Sequence, residues 1–253
     1  MNSTSVVIGA GRGIGQAISE ELARADPKAH LVLADINLDS VQRLAVSLQE
    51  LGVQASAQHV DLADQDSVRQ LVADTPEVDK VAIAAGIFEA SSALETTVAE
   101  LERITRINLI GCFQVAQLYA ASMMDRGGGS IVAIASIAAR MPRMRQAAYS
   151  ASKAGLRQAL RVLAMEVAAS GVRINTVSPG ATDTEMMRQL AGDHATVNDL
   201  ADGSLAALRP RIPDGRVALG SDVAALVSFL LSSESSHILL ADIVVDGGEL
   251  LGM

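Results

Sequence analysis

Tyr149 and Lys153 stand four residues apart in the stretch AAYSASKAG, residues 147–155. On a helix this spacing brings both side chains to one face. A free phenol holds its proton until about pH 10. A neighbouring ammonium favours the phenolate, which can then take a proton from an alcohol near neutral pH. Taken alone, the pair reads equally well as a contact on a helix surface. Two polar residues elsewhere extend the chemical reading. Ser136 ends an apolar run 13 residues before Tyr149, and its hydroxyl suits the orientation of a substrate oxygen. Asn108 interrupts the apolar stripe Leu101, Ile104, Gly111, Val115 and Leu118, where a buried amide needs partners; it is expected to hold a water against Lys153. An ordinary structural role is open for both.

Removing a proton from an alcohol becomes oxidation when a second group takes the hydride. The run GAGRGIG, residues 9–15, follows a strand-like segment and precedes a helix-like one. Its glycines fit G-x-x-x-G-x-G through Gly9, Gly13 and Gly15, and not G-x-G-x-x-G. Glycine permits the tight turn and lets backbone N–H groups approach a pyrophosphate at a helix N-terminus. Asp35 ends the second apolar run, 20 residues after Gly15. A carboxylate there accepts hydrogen bonds from ribose hydroxyls and repels a 2′-phosphate, so NAD is expected over NADP. Arg12 is the opposing signal, a guanidinium able to hold such a phosphate. Asp61, after the third run, is placed to meet an adenine amino group. Both aspartates are also open to capping the helices that follow them.

These residues need a frame. Short runs rich in Val and Ile read as buried parallel strands: 6–8, 31–34, 53–60, 81–84, 130–135, 172–177 and 238–245. Helical periodicity lies between them, as in Leu156, Leu160, Leu163 and Val167. The alternation predicts an α/β chain, a single-domain Rossmann fold over residues 1–253, with a seven-stranded parallel sheet and helices on both faces. Residues 182–216, broken by Gly192, Gly203, Pro210, Pro213 and Gly215, are expected to leave that domain as a substrate lid. Met186, Met187, Leu190 and His194 are its candidate contacts.

Composition excludes several classes. Apolar residues make up 49% of the 253, enough for a core, and aromatics only 2%, so the core must be Ala, Val, Leu, Ile and Met. A net charge of −9 argues against a nucleic-acid partner. No metal site is expected. The lone Cys112 cannot form an internal disulfide; it suits a reducing compartment and a small buried position on a helix. Residues 1–5 do not form a signal peptide, and no apolar run reads as long enough to span a bilayer. A soluble, cytoplasmic protein without a membrane partner is the expectation.

In order and spacing, Gly9-x-x-x-Gly13-x-Gly15, Asn108, Ser136 and Tyr149-x-x-x-Lys153 resemble the short-chain dehydrogenase/reductase family over essentially the whole chain. Each motif is weak alone; the set is specific. The resemblance implies that Ser136, Tyr149 and Lys153 are catalytic, that Asn108 supports a proton relay, and that Lys153 also holds the nicotinamide ribose. The stretch SPGATDT, residues 178–184, matches the family's segment after strand six, which implies that Thr184 contacts the nicotinamide carboxamide with the Thr182 backbone beside it. The NAD-contacting set so implied is Gly9, Gly11, Arg12, Gly13, Ile14, Gly15, Asp35, Asp61, Leu62, Ala85, Gly86, Tyr149, Lys153, Pro179, Gly180, Thr182 and Thr184. One departure stands out. The family has NNAG or NAAG after strand four, and residues 83–86 read IAAG, so a hydrogen-bond network that braces the sheet is expected to differ. The resemblance also implies a homotetramer, through the helices bearing Asn108 and Tyr149 and the terminal strand near Asp246, Gly247 and Gly248.

Arg140, Arg143 and Arg145 put three guanidinium groups within six positions of an acidic chain. Arginine grips carboxylates bidentately, so an anion site is expected there, with a solvated loop or subunit contact as the other reading. The segments AARMPR, SPGATDT, IPDGR and SHILLADIVVDGG resemble a branch of the family that uses NAD to oxidise a cyclohexadiene carboxylate of the 2,3-dihydro-2,3-dihydroxybenzoate type in catechol-siderophore synthesis. There the 3-hydroxyl becomes a ketone that tautomerises to the aromatic ring. Substrate contacts implied are Ser136, Tyr149, Arg145 and Arg143, the last in the matching Pro-Arg position. The alternatives are an amino analogue (a dihydro-3-hydroxyanthranilate), a 3-oxoacyl reductase, and a catalytically silent NAD-sensing protein on the same fold.

Overall fold

The computed structural model describes residues 3–191 and 197–252. Apolar runs too short for helices become strands covered on both faces. They are β1 (Thr4–Ile8), β2 (His30–Asp35), β3 (Gln54–His59), β4 (Lys80–Ile83), β5 (Gly129–Ile134), β6 (Val172–Pro179) and β7 (Asp242–Val245). All neighbours pair in parallel, in the order β3-β2-β1-β4-β5-β6-β7. The chain builds outward from β1 to one edge, then crosses back and builds to the other. Ile8 pairs with Ala34 on one side and Ile83 on the other, so the reversal leaves a crevice beyond the carboxyl ends of β1, β2 and β4. Open α/β sheets bind ligands at such a crevice.

Eight helices connect the strands among the described residues: α1 (Gly13–Ala25), α2 (Leu38–Glu50), α3 (Gln65–Asp74), α4 (Val98–Thr105), α5 (Cys112–Asp125), α6 (Ala147–Val167), α7 (Glu185–Ala191) and α8 (Gly220–Leu231). The period of two along each strand divides the interior. Val6 and Ile8 join one core with Val115, Tyr119, Leu156 and Leu160, while Val7 joins the other with Ile18, Val41 and Val227. Helices α3, α5 and α6 thus cover one face and α1, α2 and α8 the other. This is the expected Rossmann sheet.

Most strand ends shift by one or two residues from the reading of the runs, and three differences stand out. The third strand is two residues shorter than the run that marks it and is only partly buried, because it is the sheet's edge. The seventh starts at Asp242 and not at Ile238. The Asn175 side chain holds Ile238 O at 2.9 Å and the Ala241 N–H at 3.0 Å, and Leu240 takes a left-handed φ of 56°, so residues 238–241 turn before the ladder begins. The third concerns length. Helix α4, a π-helical turn at Arg106–Gly111 and α5 run on as one 28-residue stretch, Val98–Asp125, that by length and composition would pass for a membrane span. Its apolar side is turned to the sheet, with Val115, Ala116, Tyr119, Ala120 and Met123 in the core.

Residues beyond β6 leave the sheet and return. Thr182 pairs with Ala218 at the root of this excursion, and Ala181, Ala201, Ile212 and Val217 form a small core of their own within it. Beside that core lies the site.

Candidate active site

The groove at the reversal of strand order is lined by backbone from three turns. Gly9 has φ +80°, and a Cβ there would lie 2.6 Å from Ala85 backbone atoms. A Cβ on Gly15 would lie 1.9 Å from the carbonyl oxygen of Gly9. These turns close only with glycine. Helix α1 begins behind them with Arg12 as an extended N-cap that offers no side-chain hydrogen bond. Its first N–H groups are therefore available to an anion. At the far end of the groove the carboxylate of Asp35 accepts from the Gly11 N–H at 3.0 Å and the Asn37 N–H at 2.9 Å. Asn37 caps α2 and Asp64 caps α3, so neither Asp35 nor Asp61 is the cap. Asp61 accepts from the Ala63 N–H at 2.8 Å and lines the groove beside Leu62. Ala85 and Gly86 form the opposite wall. Arg12 pairs with Glu185 at 2.5 Å across the mouth. Gly11 is the exception: it stands behind the wall, tied to Asp35. A narrow cradle of free amides that ends in a carboxylate fits a dinucleotide.

This groove, about 220 Å³, meets a larger cavity of about 700 Å³; Ile14, Thr184 and Met186 border both. Ser136 and Tyr149 line the larger space with Pro179, Gly180 and Thr182. Helix α6 carries Tyr149 on its first turn and Lys153 one turn later. Lys153 is 3% exposed; its Nζ donates to Ile134 O at 2.8 Å, at the end of β5, and sits 5.9 Å from the centre of the Tyr149 ring. The Phe88 ring meets Tyr149 edge-on at 5.1 Å and fixes its plane. Among the described residues the Tyr149 hydroxyl has no protein partner. Ser136 Oγ accepts from the Ala138 N–H at 3.1 Å, which leaves its own proton to donate.

Tyr119, the other tyrosine, shows what the surroundings decide. It is buried in the core, bonded to Thr75 Oγ1 at 2.6 Å, and burial pushes its hydroxyl up to about 12 against that bond. Tyr119 is structural; Tyr149 faces a cavity with a cation behind it.

Asn108 lies in the π-helical turn and is fully buried. Its Oδ1 accepts from the Ile87 N–H at 2.8 Å; its Nδ2 donates to Ile87 O at 2.8 Å and to Ser152 Oγ at 3.2 Å. Ser152 Oγ in turn donates to the carbonyl of Tyr149 at 2.7 Å. The side chain thus ties the turn after β4 to the turn of α6 that bears the tyrosine. Cys112, one residue past that π turn, is buried with Sγ 3.6 Å from Ala85 O, and burial pushes its thiol up to about 11 while Lys153 pulls it down.

The three arginines of the β5–α6 connection part company. Arg140 binds Asp242, with Nε 2.8 Å from Oδ2. Arg145 has a left-handed φ of 63° and gives Nη2 to Ala90 O at 3.3 Å. Arg143 is nearly buried and gives Nη2 to Glu249 at 2.7 Å. Arg143 and Arg145 line the large cavity. Met186 and Met187 line it too; the Leu190 side chain and His194 lie outside the described residues. The sequence reading missed Phe88, Glu185, Arg209 and Glu249. An acidic residue in the apolar ending DGGELL was a signal for Glu249; Arg209 carried none.

The family model for short chain dehydrogenases matches residues 3–195. Among curated proteins, the chain is 33% identical to 2,3-dihydro-2,3-dihydroxybenzoate dehydrogenase of Bacillus subtilis, over 98% of this chain and 95% of that one. It is 36% identical to the vibriobactin-specific 2,3-dihydro-2,3-dihydroxybenzoate dehydrogenase of Vibrio cholerae, over 99% and 97%. Among solved structures, an NAD(P)-dependent gluconate 5-dehydrogenase candidate from Beutenbergia cavernae with NADP bound superposes with a TM-score of 0.89 at 32% identity, over 98% and 97% of the two chains. A 7α-hydroxysteroid dehydrogenase bound to NADH and 7-oxo glycochenodeoxycholic acid gives 0.88 at 26%, over 98% and 94%.

Proposed function

The chain belongs to the short-chain dehydrogenase family, and from that premise we propose that it oxidises a ring hydroxyl of a cyclohexadiene carboxylate of the 2,3-dihydro-2,3-dihydroxybenzoate type, with NAD. The observation that carries this reading is one cavity lined by Ser136, Tyr149 and Arg143 together. Proton removal and carboxylate recognition then share one cavity of about 700 Å³.

NAD supplies the hydride acceptor. The chain's own residues do the rest. Tyr149 Oη takes the proton of the ring hydroxyl. Ser136 Oγ donates to the same substrate oxygen and holds it in place. Lys153 balances the charge on the phenolic oxygen and, by the family's pattern, holds the nicotinamide ribose. Asn108 keeps α6 and the β4 turn in register, and its relay role in the family is part of this proposal. The ketone left behind tautomerises to an aromatic ring, which draws the reaction forward. NAD over NADP is supported by Asp35 at the end of β2, with Arg12 engaged by Glu185. Thr184 stands between groove and cavity, in keeping with a nicotinamide contact.

In our reading the described parts of the expected lid, residues 182–191 and 197–216, cover this cavity, with Thr182, Thr184, Met186, Leu200 and Arg209 in its wall; residues 192–196 lie outside the described residues. A homotetramer is supported by apolar side chains left exposed on α4 and α6, among them Val98, Leu101, Val162 and Met165; light scattering that gave a single-chain mass would remove it. A cytoplasmic location agrees with one buried, unpaired cysteine.

The test is NAD reduction on 2,3-dihydro-2,3-dihydroxybenzoate, with the aromatic product followed by its absorbance. The amino analogue, a 3-oxoacyl compound with NADH, and a plain cyclohexenol serve as comparisons. Turnover is expected on the dihydrodiol acid. Equal or better turnover of an uncharged alcohol would discard the carboxylate reading, and tight NAD binding without any turnover would leave a sensor.

A further inference from the structure

Three residues far apart in sequence meet in the large cavity: Arg143 before α6, Arg209 in the excursion after β6, and Glu249 beyond β7. Glu249 is fully buried, and its Oε1 receives Arg143 Nη2 at 2.7 Å and Arg209 Nε at 3.1 Å. Two guanidinium groups on one carboxylate leave a surplus of one positive charge. The surplus faces a cavity whose walls also include Ile134, Ala138 and other apolar residues, and an uncompensated charge in apolar surroundings is costly.

The donors are also incompletely used. Arg143 Nη1 and Glu249 Oε2 are buried without a partner. Arg209 gives only Nε to Glu249; neither terminal nitrogen has a partner among the described residues, though its side chain is 16% exposed. Nη1 and Nη2 form the edge of a guanidinium that matches a carboxylate with two parallel bonds. Arg140 and Arg145 lack this combination: the first is bound to Asp242, and the second is exposed and turned to Ala90.

We propose that Arg209 is the residue that grips the carboxylate of the ring substrate, with Glu249 orienting it and Arg143 supplying the second positive charge. The substrate anion neutralises the unit and the ring fills the apolar space toward Tyr149. This deepens the function proposed above and rests on it for the identity of the ring. Specificity for an acid then resides in the excursion and the C-terminal tail, outside the catalytic helix.

The experiment is calorimetric titration of the full chain, loaded with NADH, with 2,3-dihydroxybenzoate and with catechol, the same ring without the carboxylate. The wild type should hold the acid about tenfold or more tighter than catechol, the order of a hydrogen-bonded charge pair. Arg209→Gln should abolish that preference and leave catechol and NADH binding unchanged; Arg209→Lys, which keeps the charge and loses the fork, should retain part of it. A preference that survives in Arg209→Gln, or that is undiminished in Arg209→Lys, overturns the proposal, as does an equal loss for both ligands. Melting curves accompany each variant, and if Arg209→Gln fails to fold, the ratio in Arg209→Lys decides. The outcomes separate from those of the function. A wild type that prefers the acid yet oxidises no dihydrodiol acid keeps the grip and removes the activity. Turnover of the dihydrodiol acid with KM unmoved in Arg209→Gln keeps the activity and removes the grip.

Discussion

The groove beside β1 and β2 is walled by backbone; the cavity beside β5 and β6 is walled by side chains. In the first, Gly9, Gly15 and Ala85 bring main chain so close that a single Cβ at either glycine would collide. In the second, Ser136, Tyr149, Arg143, Arg209 and Glu249 converge from segments that are remote in the chain. A backbone wall suits a ligand whose phosphates are recognised by N–H groups and hardly vary. A side-chain wall can be rebuilt for a new substrate by exchanging a few residues. The difference explains how relatives at 26–33% identity keep one fold while their names span dihydrodiols, gluconate and steroids.

Substitutions on either side should expose the division. At the seam, Tyr149→Phe removes the proton acceptor and little else; turnover should fall by about 10³-fold or more with NAD affinity nearly unchanged, read from steady-state rates and cofactor titration. Near-normal turnover in that variant would void the catalytic assignment. In the groove, Gly15→Ala forces a Cβ onto the Gly9 carbonyl; a cost of about 1–3 kcal/mol in denaturant unfolding and loss of NAD binding should appear together. If the variant binds NAD normally, the wall is softer than its geometry indicates. Asp35→Ala should weaken NAD by about tenfold and narrow its lead over NADP, measured as the ratio of the two kcat/KM values. An unchanged ratio would move the selectivity elsewhere.

The smallest effect tests how dry the core behind the groove is. Burial raises the Cys112 thiol to about 11 in the folded chain, against an ordinary 9.0. A group whose folded value is raised stabilises fully below its unfolded value, and that contribution is lost as pH rises through the folded one. Stability should therefore decline between about pH 9 and 11, and less steeply in Cys112→Ser. Parallel urea midpoints for the two proteins across that range would contradict a dry core around Cys112.

How legible these features were depends on whether the signal was local. The glycine spacing, Asp35 at a strand end, and Tyr149 and Lys153 one helical turn apart are short-range patterns, and each lies where its spacing indicated. Arg140, Arg143 and Arg145 looked alike as neighbours in sequence, yet Asp242, Glu249 and Ala90 give them three different partners. Their separation follows from contacts that span 55 to 106 residues, which no local pattern carries. The end of the excursion behaves the same way: Arg209 lies among turn residues, and only the return of the C-terminal tail supplies the carboxylate that orients it.

By itself, then, the order of residues determined the parallel sheet, the dinucleotide turn and the tyrosine–lysine pair, because periodicity, glycine stereochemistry and one helical turn act within a few residues. Only the tertiary structure decided which tyrosine is buried, which arginine faces the cavity and what charge stands there. Burial and ion pairing depend on which distant segments the sheet brings together.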